Sequence, residues 1–413
     1  MSRGSFKTLK LQRVALLACP AVGSVCEDST AGQASSATPS GFETDSSLPV
    51  PQIVQGNALL EGGKRRFDVV LGNPPYLEQR EVDYQPLGFR TQSTGAIHAM
   101  FVERATQLLK PSGSLCLIVP MAVVCTKRMK VVQDVLEQPG RSVWYAHFSW
   151  RPGRLFPDVN RALTIITSHA SSASQTYTTG YQQWKSYSRR YLFDLIHYVP
   201  APRERKRYWV PKFSTEIEHE ILDKFLACST TVGDFLGPSK HRIYYRTTGG
   251  LYWKVFTDFP PSFRRNGKAT ASSRETFLSV GHRHWVPALI ATLSSDFFWW
   301  WYTLTGNLRD LNPVDIAQFP LPAAMMDDKE LARLGMEYGK DLQKNSRLAK
   351  RKQVQTGLAE SQTFEVYKSR RWLEAMGKQM AGHYGLNEEE VDYLQHYDLR
   401  HRLGGRPVRL EPC

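Results

Sequence analysis

Phe67-Asp68-Val69-Val70-Leu71-Gly72-Asn73-Pro74-Pro75-Tyr76 is the stretch that decides the fold. Its first five residues form a short, mostly apolar run that ends at glycine, asparagine and proline, which is typical of a buried strand in a parallel sheet. Asn73–Tyr76 follow this strand directly. Because ligands in open α/β sheets bind just beyond the carboxyl ends of the strands, we expect a functional loop at this position.

The hydrophobic pattern on either side of this strand alternates between strands and helices. It predicts further strands at Ile53–Val54, Leu115–Val119 and Leu163–Ile166, and helices over residues 97–109 and 121–136. In the first helical stretch the apolar residues recur with the spacing of one helix face. Strand, helix, strand, helix, strand is the order of a doubly wound sheet, so the sequence predicts an α/β fold.

The composition favours a cytoplasmic protein with a polyanionic partner. Lys and Arg number 53 and Asp and Glu 39, so the formal net charge is +14. Such an excess suits binding to phosphates, with a merely basic surface as the alternative. None of the six cysteines forms a Cys-x-x-Cys pair, so we expect reduced thiols and no metal.

Membrane insertion and export are not expected. No apolar stretch approaches the roughly 20 residues of a membrane helix. The apolar run Val14–Ala18, between Arg13 and Cys19, is shorter than the about 7–15 residues of an export signal.

Asn73–Tyr76 suit chemistry on an amine. The exocyclic amine of adenine is a poor nucleophile because its lone pair is delocalised into the ring. The amide oxygen of Asn73 and the backbone carbonyl of Pro74 can both accept hydrogen bonds from that amine, which returns the lone pair to nitrogen and aims it. Pro74 and Pro75 make the turn rigid, and Tyr76 offers a face on which an extruded base can stack.

This motif resembles that of adenine-specific DNA methyltransferases from restriction–modification systems, in particular the large type II class. The resemblance implies transfer of a methyl group from S-adenosylmethionine to N6 of a flipped-out adenine in double-stranded DNA, without a metal. Asn73, Pro74, Pro75 and Tyr76 are then the catalytic residues. It also implies a partial Rossmann-like methyltransferase sheet, followed by an α+β target-recognition region and a helical C-terminus.

Other segments extend the resemblance. Residues 53–59 are similar to the donor-contacting loop that precedes the motif, which implies that Gly56 and Asn57 bind the donor, Asn57 at its adenine. Residues 149–156 resemble a segment of the larger type II enzymes, although a structural role for this basic turn is equally open. Interleaved arginines and aromatic residues suit phosphate contacts and base stacking. The candidate DNA contacts are Arg151, Arg154, Arg205, Lys206 and Arg207.

Composition and resemblance together divide the chain into four parts. Residues 1–50 are expected to be a disordered leader that is not native to the fold, because residues 28–49 are rich in Ser, Thr, Ala and Gly. Residues 51–170 are the catalytic part, 171–326 the target-recognition region and 327–413 a helical C-terminal region. We expect Phe297–Tyr302 to pack in a core. Arg347–Lys352 predict a solvated helix face, with a DNA contact as the alternative.

The sequence also departs from the family pattern. A Gly-rich turn of the form Asp-Pro-x-x-Gly-x-Gly is not found, and Cys19–Ser24, the nearest match, follows no strand pattern. We therefore expect that an N-terminal methyltransferase or nuclease portion is missing, that an apolar edge is exposed beside the catalytic strand, and that the donor binds weakly. A catalytically inactive DNA-binding remnant is one alternative. A protein-glutamine or RNA amino-methyltransferase is another, against which the long basic region after residue 170 argues.

Overall fold

The structure is a computed structural model that describes residues 14–18, 56–60, 66–204, 207–248, 254–353 and 357–402. The strands are β1 (Val14–Ala18), β2 (Phe67–Asn73), β3 (Leu109–Pro120), β4 (Arg141–Phe148), β5 (Leu163–Ala170), β6 (Thr176–Gln182), β7 (Val199–Pro200), β8 (Arg242–Arg246), β9 (Phe263–Arg265), β10 (Lys268–Ala269), β11 (Glu275–Ser279), β12 (Ser346–Gln353) and β13 (Gly357–Phe364). The α-helices are α1 (Ile97–Gln107), α2 (Lys130–Leu136), α3 (Ile217–Leu226), α4 (Val286–Ser294), α5 (Asp296–Thr305), α6 (Pro313–Ala317), α7 (Lys329–Lys344), α8 (Arg370–Tyr384), α9 (Glu388–His396) and α10 (Leu399–Arg402).

These elements make a mixed α/β fold with a helical C-terminal part, as predicted. The largest sheet has seven strands in the order β1-β2-β3-β5-β4-β6-β7, and β6 and β7 run antiparallel. The chain divides into two compact units. Unit 1 comprises Met1–Val119, Val131–Val143 and Ile165–Ser174, and unit 2 comprises Pro120–Lys130, Trp144–Thr164 and Gln175–Cys413.

Three parallel strands organise unit 1. β2 pairs with β1 on one side and with β3 on the other. The expectation of an exposed edge beside the catalytic strand is therefore wrong, because Val14–Ala18, which the sequence analysis placed in a disordered leader, pairs with Val69–Asn73. Cys19–Ser24, directly after β1, and the predicted strand Ile53–Val54 lie outside the described residues.

Most of the other elements predicted around the motif are found. Helix α1 confirms the first helical stretch, and the apolar runs at 115–119 and 163–166 lie within β3 and β5. The second helical stretch begins with two 3-10 turns and becomes an α-helix only at Lys130. Pro111, Ser112 and Gly113 lie within β3, whose register with β2 shifts between Phe67 and Val69.

The core of unit 2 is built around α5, which confirms the prediction that Phe297–Tyr302 pack in a core. All ten residues of this helix are buried. The Ser295 side chain caps its first turn by accepting a hydrogen bond from the backbone N–H of Phe298 at 3.2 Å. Lys212, fully buried, donates its ammonium to the carbonyl of Leu304 at 2.9 Å, which satisfies a carbonyl of the last turn.

Helices α4 and α7 approach each other at a glycine in the same unit. A Cβ atom at Gly335 would lie 2.1 Å from the backbone carbonyl oxygen of Pro287. Such a distance is shorter than any van der Waals contact, so the two helices can approach this closely only because residue 335 has no side chain.

A four-stranded antiparallel sheet in unit 2 has the order β10-β9-β13-β12. Strand β12 contains Arg347–Lys352, so the prediction of a helix face there is wrong. The residues form a strand because β12 pairs along its whole length with β13, from Ser346 opposite Phe364 to Gln353 opposite Gly357. Two further strands, β8 and β11, pair antiparallel. Within the described residues, no helix combines the length and apolar character that a membrane span requires.

Candidate active site

The loop Asn73–Tyr76 lies at the carboxyl end of β2, as the sequence predicts. The neighbouring residue Gly72 pairs with Leu117 of β3, so the strand is held in the sheet up to the start of the loop. The Asn73 side chain is exposed and Pro74 is buried. The loop is thus anchored by a rigid, covered proline and leaves the amide of Asn73 accessible at the end of the strand.

Tyr76 contacts Asn73 directly. Its hydroxyl lies 2.6 Å from Asn73 Oδ1 and 3.3 Å from the carbonyl oxygen of Ile118 in β3. A phenol has one proton to donate, and the shorter distance favours the asparagine as its acceptor. The hydrogen bond orients the amide oxygen while leaving it a second lone pair for another donor. The role predicted for Tyr76 is stacking on a base, and the contact with Asn73 is a second role that the sequence does not indicate.

The chain after Tyr76 folds back onto the motif. The N–H of Ile97 donates to the carbonyl of Leu77 at 2.9 Å, and the N–H of Gln79 donates to the carbonyl of Gly95 at 2.7 Å. Gly95 has a φ of 67°, in the left-handed region that glycine adopts without strain. Residues 77–97 therefore form a closed loop that fixes the position in which the chain leaves Tyr76.

A buried carboxylate holds this closed loop. Glu103 of α1 is 5% exposed and accepts hydrogen bonds from the N–H of Arg90 at 3.1 Å and from the N–H and hydroxyl of Thr91, both at 2.9 Å. It thereby satisfies the free N–H groups at the start of the 3-10 helix Arg90–Thr94. The sequence analysis does not name Glu103. One signal for its burial was available, because this acid lies among apolar residues on the buried side of a helix, between Met100–Val102 and Ala105.

Asn57 lies in a turn that fixes its amide. Its Oδ1 accepts a hydrogen bond from the N–H of Leu59 at 3.0 Å, and its backbone carbonyl accepts one from the N–H of Leu60 at 3.0 Å. Leu59 is buried beneath the turn, whereas Gly56 is exposed. A fixed amide beside an exposed glycine backbone fits the binding of a planar, hydrogen-bonding group such as the adenine of the predicted donor.

Arg151 and Arg154 lie in one loop of unit 2, after β4. Arg151 is exposed and its guanidinium stacks 4.0 Å above the ring of Trp150. Arg154 donates to Asn160 Oδ1 at 2.9 Å. Arg189 donates to the carbonyls of residues 154 and 155, which ties the loop down. The loop thus presents two oriented guanidinium groups.

Of the other three candidate DNA contacts, the structure describes only Arg207. Arg205 and Lys206 lie outside the described residues. Arg207 pairs with Glu204 at 3.0 Å and stacks over Trp209 at 5.3 Å. Burial lowers the pKa of Arg207, with Glu204 and Asp223 opposing that shift. Among the residues that the structure describes, no three His, Cys, Asp or Glu side chains come together as a metal site.

Residues 31–138 match the family model of the Eco57I restriction-modification methylase. The match includes the Asn73 loop, β2, α1 and β3. For this part of the chain it confirms the resemblance to restriction–modification methyltransferases.

Solved structures of such systems show a weak likeness. The chain is similar to a chain of a type I restriction–modification system (20% identity over 43% of this chain and 33% of that chain, TM-score 0.24). It is also similar to the type I M protein M.EcoKI (15% identity over 29% and 24%, TM-score 0.22). The type IIL enzyme MmeI in complex with DNA matches at 8% identity over 83% and 55%, with a TM-score of 0.38. The chain spans between about a quarter and about half of the length of these three chains.

Proposed function

We propose that this chain carries the catalytic and DNA-recognition parts of a site-specific DNA methyltransferase from a restriction–modification system. The reaction is transfer of a methyl group from S-adenosylmethionine to N6 of an adenine. The observation that supports it most is the amide of Asn73, exposed at the end of a parallel strand and oriented by the hydroxyl of Tyr76. The family match over residues 31–138 supports the same reaction class.

Asn73 and Pro74 bind the target amine. The second lone pair of Asn73 Oδ1 and the carbonyl of Pro74 each accept one N–H of the amine, which keeps the nitrogen lone pair out of the ring and directs it at the methyl group. Gly56 and Asn57 hold the adenine end of S-adenosylmethionine, which when bound supplies an electrophilic methyl group. As the bond from nitrogen to the methyl carbon forms, the bond from sulfur to that carbon breaks and S-adenosylhomocysteine leaves as a neutral thioether. The methylated amine then releases one proton to water, and no covalent bond to the protein forms.

Unit 2 supplies the DNA contacts of the proposed enzyme. Arg151 and Arg154 are oriented by Trp150 and Asn160 and suit phosphate oxygens, which accept charge-assisted hydrogen bonds from guanidinium groups. The partner is double-stranded DNA with one adenine extruded from the stack.

Methyl transfer to unmethylated plasmid DNA tests the proposal. The purified chain is incubated with labelled S-adenosylmethionine, and the labelled nucleoside is identified by mass spectrometry as N6-methyladenine or N4-methylcytosine. We expect N6-methyladenine, and we expect Asn73→Ala to abolish the label while DNA binding persists. Gln138→Ala, which removes an exposed amide elsewhere in unit 1, is the matched control and should keep full activity.

The other outcomes separate the alternatives. Equal labelling by Asn73→Ala and the unchanged chain contradicts the assignment of the site. Duplex binding with no label from either protein identifies a DNA-binding remnant. Label that appears only when RNA or protein replaces DNA identifies another substrate class.

A further inference from the structure

The four-stranded sheet of unit 2 has two faces with different charge, and the pairing register defines them. In an antiparallel sheet, residues directly opposite each other on neighbouring strands project from the same face. One row across the sheet is Arg351, Ala359, Arg265 and Lys268, from β12 to β10. The adjacent row is Lys350, Glu360, Arg264 and Ala269, and it projects from the opposite face.

The first row, which we call the basic row, has three cations and no acid. Arg351, Arg265 and Lys268 are all exposed, and Ala359 between two of them is buried. Within the part of the chain that the structure describes, no carboxylate forms an ion pair with any of these three cations. Three like charges held close together on one face repel one another, which destabilises the fold slightly. An anionic ligand bound to the row would remove this repulsion.

The second row has two cations and one acid, which lies between them. Glu360 is directly opposite Lys350 on one side and Arg264 on the other, and Lys350 Nζ lies 3.2 Å from Glu360 Oε1. The two rows therefore differ in charge at two pairs of adjacent positions, Ala359 against Glu360 and Lys268 against Ala269.

A two-residue turn fixes the cations at one end of the basic row. Asn266 and Gly267 connect β9 to β10 with φ values of 48° and 79°, the pattern of a type I′ hairpin turn. The turn is pinned to β13, because Asn266 Oδ1 accepts a hydrogen bond from the N–H of Leu358 and the N–H of Asn266 donates to the carbonyl of Leu358, both at 2.8 Å. Arg265 and Lys268 flank this turn and are held side by side.

We propose that the basic row binds the sugar–phosphate backbone of double-stranded DNA. At about 4.8 Å between neighbouring strands the row spans roughly 15 Å. This length corresponds to about four nucleotides of one DNA strand. Cations on a rigid sheet contact phosphates without reading base edges, so this surface contributes affinity and orientation and not sequence choice. The proposal rests on the proposed function for its partner, but not on the chemistry at Asn73.

The salt dependence of DNA binding tests the proposal with matched variants on the two faces. The triple variant Arg265→Gln, Lys268→Gln, Arg351→Gln removes three charges from the basic row. The control Arg264→Gln, Lys350→Gln, Lys352→Gln removes three charges from the opposite face of the same strands. Binding to a short duplex of arbitrary sequence is measured by fluorescence anisotropy between about 50 and 200 mM salt, without methyl donor.

We expect the basic-row variant to bind more weakly and to lower the slope of log K against log salt by roughly 2 to 3, since each phosphate contact contributes about 0.9. We expect the control variant to change the slope by less than about 1. Equal slopes for the two triple variants overturn the proposal. Loss of binding to vesicles of anionic phospholipid, with duplex binding unchanged, overturns it as well.

A single substitution keeps the test valid if the triple variant does not fold. Ala359→Glu places a carboxylate between Arg351 and Arg265 and copies on this face the arrangement around Glu360. We expect it to weaken duplex binding and lower the slope by about 1 or more, and unchanged binding by this folded variant contradicts the proposal. Gln138→Ala, an exposed position away from both sites, should bind the duplex like the unchanged chain. The binding assay contains no methyl donor and reads no chemistry, so failure of the methyl transfer assay and failure of this assay are distinguishable.

Discussion

The Asn73 loop in unit 1 and helix α5 in unit 2 both combine aromatic and polar residues, and they place them in opposite surroundings. In the loop, Asn73 is exposed and its oxygen keeps a lone pair beyond the hydrogen bond from Tyr76. In the helix all ten residues are buried. The polar side chains that meet the helix from outside are committed to it: Glu218 accepts from Trp300 Nε1 and Lys212 donates to Leu304.

This difference separates stability from function. Residues of α5 contribute by excluding water and filling volume, so their loss is expected to affect every measurement together. The Asn73 side chain is exposed, so its loss is expected to affect chemistry alone. Three substitutions test this separation.

Trp300→Ala has the largest expected effect. The indole is fully buried and donates to Glu218 Oε1 at 2.9 Å, so the variant leaves both a cavity and a buried carboxylate without that donor. We expect the free energy of unfolding to fall by about 3–5 kcal/mol, measured by chemical denaturation. Tyr187→Ala, at a side chain that is 74% exposed, is the control and should change it by less than about 0.5 kcal/mol. Similar losses in both would contradict the assignment of the core.

Glu103→Gln should have an intermediate effect, and it acts inside unit 1. The amide replaces one acceptor oxygen by an NH2 group that faces the N–H groups of Arg90 and Thr91. We expect a loss of about 1–3 kcal/mol and faster hydrogen exchange at residues 90–97. Glu337→Gln, in an exposed pair with Lys340, is the control. Unchanged exchange in the Glu103 variant would show that the carboxylate does not hold the loop.

Tyr76→Phe should have the smallest effect, confined to catalysis. It removes the hydroxyl that orients Asn73 Oδ1 and keeps the ring. We expect methyl transfer to fall several-fold, in line with a lost hydrogen bond of about 0.5–1.5 kcal/mol, with the midpoint of unfolding unchanged. Tyr187→Phe, which removes the hydroxyl of a tyrosine that is 74% exposed in unit 2, is the control and should keep full methyl transfer. Full activity of the Tyr76 variant would contradict a role for its hydroxyl in orienting Asn73.

Local signals explain which parts of the site could be predicted. The strand and loop from Phe67 to Tyr76 are contiguous, so the sequence alone places them, and the same holds for α1. Glu103 accepts hydrogen bonds from the N–H groups of Arg90 and Thr91, which precede it by 13 and 12 residues. No pattern in a single sequence links those positions.

The missed elements depend on pairing between distant segments. β1 is a strand because it pairs with β2, more than 50 residues later. β12 lacks the alternation of a half-buried strand, and its charges instead suggested a helix face. One signal was available: Asn266-Gly267 is a dipeptide that favours a two-residue type I′ hairpin turn. It connects β9 and β10 at the edge of this sheet.

The contact between α4 and α7 also determines how freely this chain can vary. Since a methyl group at position 335 would overlap the carbonyl of Pro287, a library of random variants should retain glycine at that codon. Met336, the next residue, is 50% exposed and should accept most side chains. Two adjacent codons would then record opposite selection pressures.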